Sequence, residues 1–205
     1  MGTTKNPAIA PTIAKRYSGR GFRPVFRLPE LPAFHGMHRA LQRLGFSRFQ
    51  PTLTQTARVA DLLAGPDAPA GELEPTPDAA WIAMFLGEGL DPVDGASRAR
   101  SLGRAHDTLF ASLRENGQTL ACGAASFGHG WLGVHGMRTA AAHRGRGLAG
   151  GLLRTMAQQA QQRGIDRVFL QVDASNAPAL ALYARLGFTT AWTYAYWRKP
   201  RSTGS

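Results

Sequence analysis

A glycine-rich segment with two arginines, His143-Arg-Gly-Arg-Gly-Leu-Ala-Gly-Gly151, is the part of the sequence best suited to binding an anion. Glycines permit tight turns that expose successive backbone N–H groups, and the N-terminus of a following helix adds about half a positive charge. Arg144 and Arg146 supply full charges that can meet phosphates. The segment lacks the Gly-Lys-Ser/Thr of a Walker loop. Taken alone, it is equally compatible with an ordinary glycine-rich turn.

The elements around this segment predict a phosphate-binding turn between a strand and a helix. Trp131–Thr139 reads as a strand, and residues 147–163 carry an apolar stripe at the spacing of an amphipathic helix. A strand at 167–172, a helix at 177–186 and a strand at 189–198 follow. Ser175 or Asn176 can cap the second of these helices.

The preceding part of the chain predicts further strands and helices. Asn116-Gly117 is the strongest hairpin signal in the chain, because both residues tolerate the positive φ angles of a tight turn. The expected strands are 24–28, 51–59, 107–114 and 118–126, and the expected helices are 33–44, 79–88 and 92–104.

The net charge of +11 is concentrated near the N-terminus, where residues 1–60 contain ten Lys/Arg and one acid, Glu30. Residues 1–20 show no sustained periodicity and are predicted to form a flexible basic arm. Such an arm can attract nucleic acid or simply aid solubility. The sequence contains no apolar run of about 20 residues, as a membrane helix needs, and its single cysteine excludes an internal disulfide. We expect a cytoplasmic protein that does not bind membranes.

Two motifs in sequence order resemble the GNAT (GCN5-related N-acetyltransferase) superfamily. Arg144-x-x-Gly147-x-Ala149 resembles its Q/R-x-x-G-x-G/A motif. The segment from Asn176 to Phe188, Asn-Ala-Pro-Ala-Leu-Ala-Leu-Tyr-Ala-Arg-Leu-Gly-Phe, resembles its N-x-x-A-x-x-L-Y-x-x-x-G-F motif. The resemblance covers about 77–200 and implies an acetyl-CoA-dependent N-acetyltransferase.

The resemblance also implies roles for individual residues. Backbone groups at the end of a strand would bind the pantetheine arm and the acetyl carbonyl, backbone N–H groups of the glycine-rich turn would bind the pyrophosphate, and residues of the second motif would contact the cofactor arm. The strand-end residues are Met137, Arg138 and Thr139. The residues of the glycine-rich turn are Arg144, Gly145, Arg146, Gly147, Leu148, Ala149 and Gly150. The residues of the second motif are Asn176 and Ala179. Tyr183 would be the general acid, since a phenol of pKa about 10 is protonated at neutral pH.

The general base remains open at this point. His135 shares a strand face with Met137 and Thr139 by the period-two rule, and a neutral imidazole suits proton abstraction. It can equally be a hydrogen-bonded core residue. Other candidates are Glu88, Asp91 and Asp94, and water can also relay the proton. Cys122, in a strand of small residues, is expected in the core, and no metal site is expected.

A short internal similarity suggests a second unit of the same kind. Gly21 and Val25 through Phe46 echo the pattern from Gly164 to Phe188. The expected fold is a mixed α/β GNAT fold with a small N-terminal strand-helix-strand remnant. The predicted parts are an arm at 1–20, a degenerate unit at 21–63, a linker at 64–76 and an acetyltransferase domain at 77–200.

Three functions are therefore weighed. The first is acetyl transfer from acetyl-CoA to a primary amine of a small molecule or peptide. The second is a non-catalytic acyl-CoA-binding module, which would not need Tyr183. The third is a nucleic-acid-associated protein that uses the basic arm. A homodimer is compatible with the remnant of a second unit.

Overall fold

The computed structural model describes residues 6–65, 67–87 and 91–200. Helices alternate with strands along most of this length, as the sequence predicts. The helices are α1 Ile9–Ser18, α2 His35–Arg43, α3 Val59–Leu63, α4 Ala79–Ala83, α5 Pro92–Gly103, α6 Leu148–Gln162 and α7 Ala177–Arg185. The strands are β1 Val25–Pro29, β2 Ser47–Arg58, β3 Glu72–Glu74, β4 Thr108–Glu115, β5 Gln118–Gly128, β6 Trp131–Thr139, β7 Arg167–Asp173 and β8 Thr189–Arg198.

The chain folds into two compact units. The described residues of the first unit lie in 6–55, 172–180 and 190–200, and those of the second lie in 56–65, 67–87, 91–171 and 181–189. The predicted domain boundaries, with a remnant at 21–63 and a catalytic domain at 77–200, concern the ancestry of the chain and stay a prediction.

The first unit is built on strands β1, β8 and β2, in that order across the sheet. β1 and β8 are antiparallel, with Val25 opposite Arg198 and Pro29 opposite Tyr194. An apolar cluster fills this unit and includes Ala10, Met37, Leu41, Phe46 and Trp197.

Helix α1 corrects the prediction of a flexible arm for Ile9–Ser18, which is helical with a fully buried Ala10. Residues 1–5 of the arm predicted at 1–20 lie outside the described residues. Pro11 obscured this helix in the sequence. Proline lacks an N–H group and breaks helix interiors, but in the first turn that N–H has no intrahelical partner to lose.

The second unit contains the strand order β7-β6-β5-β4-β3. β3 to β6 are antiparallel neighbours, whereas β6 and β7 are parallel and are connected through α6. The turn between β4 and β5 has φ angles of 51° at Asn116 and 77° at Gly117, which confirms the predicted hairpin. Strand β3 lies inside the predicted linker at 64–76, which therefore contributes an edge to the sheet.

Helix α6 packs its apolar stripe into the second unit, as its periodicity predicts. Leu152, Leu153, Met156, Ala157 and Ala160 are all fully buried. On the opposite face of the sheet, short α4 and longer α5 cover a second cluster that contains Trp81, Phe85, Phe110, Cys122 and Ala124. β5 therefore has apolar contacts on both faces. Every helix in the described ranges is too short or too polar to cross a bilayer.

Candidate functional site

The connection from β6 to α6 turns twice through backbone conformations that favour glycine. A short 3-10 turn at Ala141–His143 comes first, and Gly145 and Gly147 then have φ angles of 78° and 75°. A Cβ atom at either glycine would meet no heavy atom within 4 Å, so the space beside both is open. The glycines are therefore required by the backbone conformation and leave room for a ligand beside it.

The N-terminus of α6 has the electrostatics of an anion site. Gly147 is the N-cap residue, and within the described part of the chain no side chain caps the helix. Its first turn contains no acidic residue. The N–H groups of Leu148, Ala149 and Gly150 cannot bond within an α-helix because they belong to its first turn, and they lie at its positive end. Leu148 is buried, so only its backbone is available to a ligand.

The two arginines of this turn differ in their surroundings. Arg146 hydrogen-bonds His143 Nδ1 at 2.8 Å and lies 3.5 Å from Glu115 Oε2. Both members of the ion pair are about half exposed, so it contributes at most about 1 kcal/mol. The side chain of Arg144 is exposed and makes no hydrogen bond or ion pair with any residue that the structure describes, whereas its backbone N–H donates to the Ala141 carbonyl at 3.4 Å. Arg144 is thus the arginine more available to a phosphate.

Close contacts hold α6 in place beneath this turn. A Cβ on Gly151 would lie 2.1 Å from the Pro69 carbonyl oxygen, so only glycine allows this approach. One turn on, the Thr155 hydroxyl accepts a hydrogen bond from the Gly71 N–H at 3.0 Å. Arg154 donates to the Gly65 carbonyl at 2.8 Å. Contacts within the protein therefore fix the position of the first turns of α6.

The backbone of β6 loses one of its strand partners before the strand ends. The parallel ladder with β7 runs from Trp131 opposite Arg167 to Val134 opposite Leu170 and then stops. The antiparallel ladder with β5 continues to Thr139, which lies opposite Ala121. One backbone edge at residues 137–139 consequently lacks a strand partner among the described residues.

A bulge at Gly136 changes which side chains share a face of β6. His135 lies opposite Ala124, but Arg138 lies opposite Cys122, so β6 has one more residue than β5 across this interval. Gly136 adopts φ 61° at the bulge. His135 and Arg138 therefore face the same side, towards α4 and α5.

The bulge corrects the period-two prediction that His135 shares a face with Met137 and Thr139. Met137 points to the α6 side, because a Cβ on Gly123 would lie 2.4 Å from its sulfur and 3.0 Å from Met156. An extra residue in one strand reverses the alternation beyond it.

His135 is held in a defined orientation on the α4–α5 side. Its Nε2 atom lies 2.9 Å from the Ser126 hydroxyl, and its ring meets Phe169 edge-on at 5.9 Å between centroids. Burial lowers the pKa of the imidazole below its ordinary value of 6.5. The ring is therefore neutral at pH 7 and able to accept a proton.

Arg138 stands out on the same face as a cation that forms no ion pair with any described residue. Its guanidinium carbon lies 5.3 Å from the centroid of the Phe85 ring, and its Nε atom is buried with no hydrogen-bond partner among the described residues. The sequence-based prediction assigned only its backbone to the site. Its side chain is an additional feature.

Tyr183 lies in α7 and is only 8% exposed, and its ring packs against Phe188 at 5.5 Å between centroids. Its hydroxyl makes no hydrogen bond with any described residue, and burial raises its pKa above 10. The phenol is therefore protonated at physiological pH and able to donate.

Asn176 and Ala179, in the first unit, are joined by a local hydrogen bond. The Asn176 side-chain oxygen accepts the Ala179 N–H at 3.3 Å, as expected of a residue that caps α7. Asn176 is exposed and its side-chain NH₂ group is not engaged by that cap. Their contact with a cofactor stays a prediction.

The carboxylate alternatives for a general base have other partners or fall outside the described chain. Asp91 caps α5 by accepting the Val93 and Asp94 N–H groups at 2.8 and 3.0 Å. Asp94 pairs with Arg98 at 2.7 Å. Glu88 lies outside the described residues. Among the described candidates, His135 alone combines burial with a neutral proton-accepting ring.

Cys122 lies in the core, as the sequence predicts. Burial raises the pKa of its thiol to about 12, so the thiolate that a nucleophile requires is not formed at neutral pH. Covalent transfer through this residue is therefore disfavoured.

Comparison with known proteins assigns the family. A model of the Acetyltransferase (GNAT) family matches residues 76–188, which is more than half of the chain. The chain belongs to this family.

Two similar curated proteins are also acetyltransferases by name. A mycothiol acetyltransferase from Corynebacterium aurimucosum is 46% identical over 57 residues, which make up 28% of this chain and 19% of that protein. The uncharacterised N-acetyltransferase YobR of Bacillus subtilis is 28% identical over 130 residues, or 60% of this chain and 51% of that protein. The chain thus matches about half the length of these relatives or less.

The fold is shared with solved structures. A GCN5-related N-acetyltransferase from Kribbella flavida has a TM-score of 0.68 and 21% identity, covering 95% of this chain and 75% of that one. The predicted mixed α/β GNAT fold is confirmed.

Sequence reasoning missed three participants in this site: Ser126, Gly136 and Phe169. The strand pairing brings Ser126 and Phe169 beside His135, and pairing between strands is not visible in one sequence. Gly136 inside a predicted strand was a usable signal, since an isolated glycine there often marks a bulge.

Proposed function

We propose that this chain is an N-acetyltransferase that moves the acetyl group of acetyl-CoA directly to a primary amine. One observation carries the proposal. The unpaired edge of β6, at residues 137–139, leads within a few residues to the uncapped, glycine-opened N-terminus of α6. These two features suit the two polar parts of acyl-CoA, the amide-containing arm and the diphosphate.

The fit of the diphosphate rests on the backbone at Gly145 and Gly147. Their left-handed conformations expose successive N–H groups, and the open space beside them admits phosphate oxygens. Arg144, exposed and without a described partner, would add a full positive charge. The residues present therefore fit the group.

The unpaired backbone at residues 137–139 would bind the rest of the cofactor. Strand edges present N–H and C=O groups that bind another extended chain, and an amide-bearing arm can take that place. Bound acetyl-CoA supplies a thioester, whose carbonyl carbon bonds to the amine nitrogen while its carbon–sulfur bond breaks.

Two proton transfers accompany this exchange, since the amine must lose a proton and the departing sulfur must gain one. His135 is neutral, held by Ser126, and able to accept the amine proton. Tyr183 is protonated, buried, and able to donate to the thiolate. The two groups have pKa values displaced in opposite directions, as an acid–base pair requires.

Transfer through a cysteine acyl-enzyme is disfavoured, because the Cys122 thiol has a pKa of about 12 and lies in the core. Direct formation of the new amide bond in a ternary complex is therefore favoured over transfer through this cysteine.

Two measurements on the full chain test the proposal. Calorimetry with CoA should show binding, and acetyl-CoA turnover with a panel of primary amines should release free CoA. CoA binding without turnover on any amine would favour the acyl-CoA-binding module instead. Absence of CoA binding would contradict both functions.

A further inference from the structure

We propose that the Arg138 side chain binds a carboxylate of the acceptor, so that the substrate is a small amino carboxylate. This inference rests on the proposed acetyl transfer and specifies its acceptor.

Arg138 is partly buried, and its guanidinium packs against an aromatic ring. Phe85 lies beneath it at 5.3 Å and Cys122 is its neighbour across the strands. Its Nε atom is shielded from solvent and has no hydrogen-bond partner among the described residues. An N–H group that is buried and unpaired costs free energy, so a function that uses it is expected.

Among the residues that the structure describes, no carboxylate forms an ion pair with Arg138. Asp94, a carboxylate whose charge acts on Arg138, is itself paired with Arg98 at 2.7 Å. Burial lowers the pKa of Arg138, and the positive charge of Arg98 lowers it further. A ligand carboxylate would supply the missing charge and can accept two parallel hydrogen bonds from the planar guanidinium.

The bulge at Gly136 places this cation on the face of His135. Because the bulge makes His135 and Arg138 successive residues of one face, their Cα atoms are separated by about 7 Å along the strand. An acceptor held at Arg138 through its carboxylate would direct its amine towards His135 if only a few carbon atoms separated the two groups. This spacing suits a small amino acid and not a long polyamine.

The experiment compares acceptors that differ only in charge. Glycine, β-alanine and 4-aminobutyrate are each assayed beside their carboxamides for acetyl transfer by the full chain. We expect at least one acid to exceed its amide by about tenfold in kcat/KM. The preference for the acid should disappear in Arg138→Gln. It should persist in Arg98→Gln, which changes a neighbouring arginine that already has a carboxylate partner.

A binding measurement separates this inference from the proposed function. The same acids and amides are titrated into the CoA-saturated protein by calorimetry. Acid binding that depends on Arg138 without any turnover would overturn acetyl transfer and support the carboxylate site. Turnover with equal use of acids and amides, or with an acid preference that survives Arg138→Gln, would overturn the carboxylate site alone.

Loss of folding in Arg138→Gln would be detected by thermal denaturation. Arg138→Lys then replaces it, because lysine keeps the charge but cannot form two parallel hydrogen bonds. A weakened but retained preference for the acid is expected. A wild-type protein that does not prefer any acid overturns the inference whatever the variants do.

Discussion

His135 and Arg138 face the same side of strand β6 although they are three residues apart in sequence. The extra residue at Gly136 produces this arrangement, since a regular strand would place them on opposite faces. The candidate base and the Arg138 cation thus become neighbours through a local irregularity of the backbone.

Gly136→Ala should disturb this arrangement. Gly136 has φ 61°, and a Cβ there would lie 2.9 Å from Leu102 and 3.0 Å from Phe85. We expect the free energy of unfolding to fall by about 1–3 kcal/mol and the acetyl-transfer rate to fall with it. Denaturant unfolding measures the first. Gly128→Ala, where a Cβ meets no atom within 4 Å, should leave both nearly unchanged.

Gly147→Asp tests the anion site, with Gly164→Asp as its control. The two glycines lie at opposite ends of α6, have φ angles of 75° and 69°, and have no atoms within 4 Å of a Cβ. Both variants should incur similar backbone strain. Only the carboxylate at 147 would repel a diphosphate, so we expect CoA affinity to fall at least about tenfold there, or about 1.4 kcal/mol. Equal affinities in calorimetry would contradict the assignment.

Tyr183→Phe should lower kcat by about 100-fold and change CoA affinity little, because removal of a general acid affects the reaction more than binding. The hydroxyl has no hydrogen-bond partner among the described residues, so stability should change little as well. Tyr17→Phe, at an exposed tyrosine, is the control. An unchanged rate would remove Tyr183 from the mechanism.

Acidification should destabilise the protein through His135. Burial lowers its pKa in the folded state, so between its ordinary value of 6.5 and that lower value the unfolded chain binds more protons. Stability should therefore fall as pH falls below about 6.5, and His135→Gln should reduce this slope. His38 also has a lowered pKa and requires its own variant. The pKa values of Asp78 and Asp173 are lowered from 3.8, so their effects appear only at more acidic pH.

Protonation of His135 also predicts that the acetyl-transfer rate falls at acidic pH. A neutral His135 is required to accept a proton, and its lowered pKa keeps it neutral at pH 7. The rate should thus be independent of this group above about pH 6.5 and fall below its folded-state pKa. A wild-type profile that His135→Gln leaves unchanged would assign the base elsewhere.

Much of the fold was predictable because its signals are local. The stripe of α6 and the Asn116-Gly117 turn depend on residues close in sequence, and the structure confirms both. The glycine-rich turn after β6 was likewise visible as a motif. Its left-handed glycines are now seen at 145 and 147.

The missed features depend on contacts between distant residues. The Ser126–His135 hydrogen bond requires the register of β5 against β6. The side of the sheet to which Met137 points depends on the bulge at Gly136, which the period-two rule for strands does not take into account. The partial burial of Arg138 involves Phe85, more than fifty residues earlier. Pairing and packing thus determine the side-chain chemistry, even where the local pattern determines the elements.

The β6–β7 ladder ends early, at Val134 and Leu170. Beyond that point, one backbone edge of β6 has no strand partner among the described residues. A cofactor arm bound along this edge would accept and donate backbone hydrogen bonds as an added strand does, in the place where β7 no longer pairs with β6. Amide protons at 137–139 should then exchange with deuterated solvent more slowly once CoA is added, whereas those at 131–134 should already be protected. Ligand binding would thus extend secondary structure that the polypeptide itself leaves incomplete.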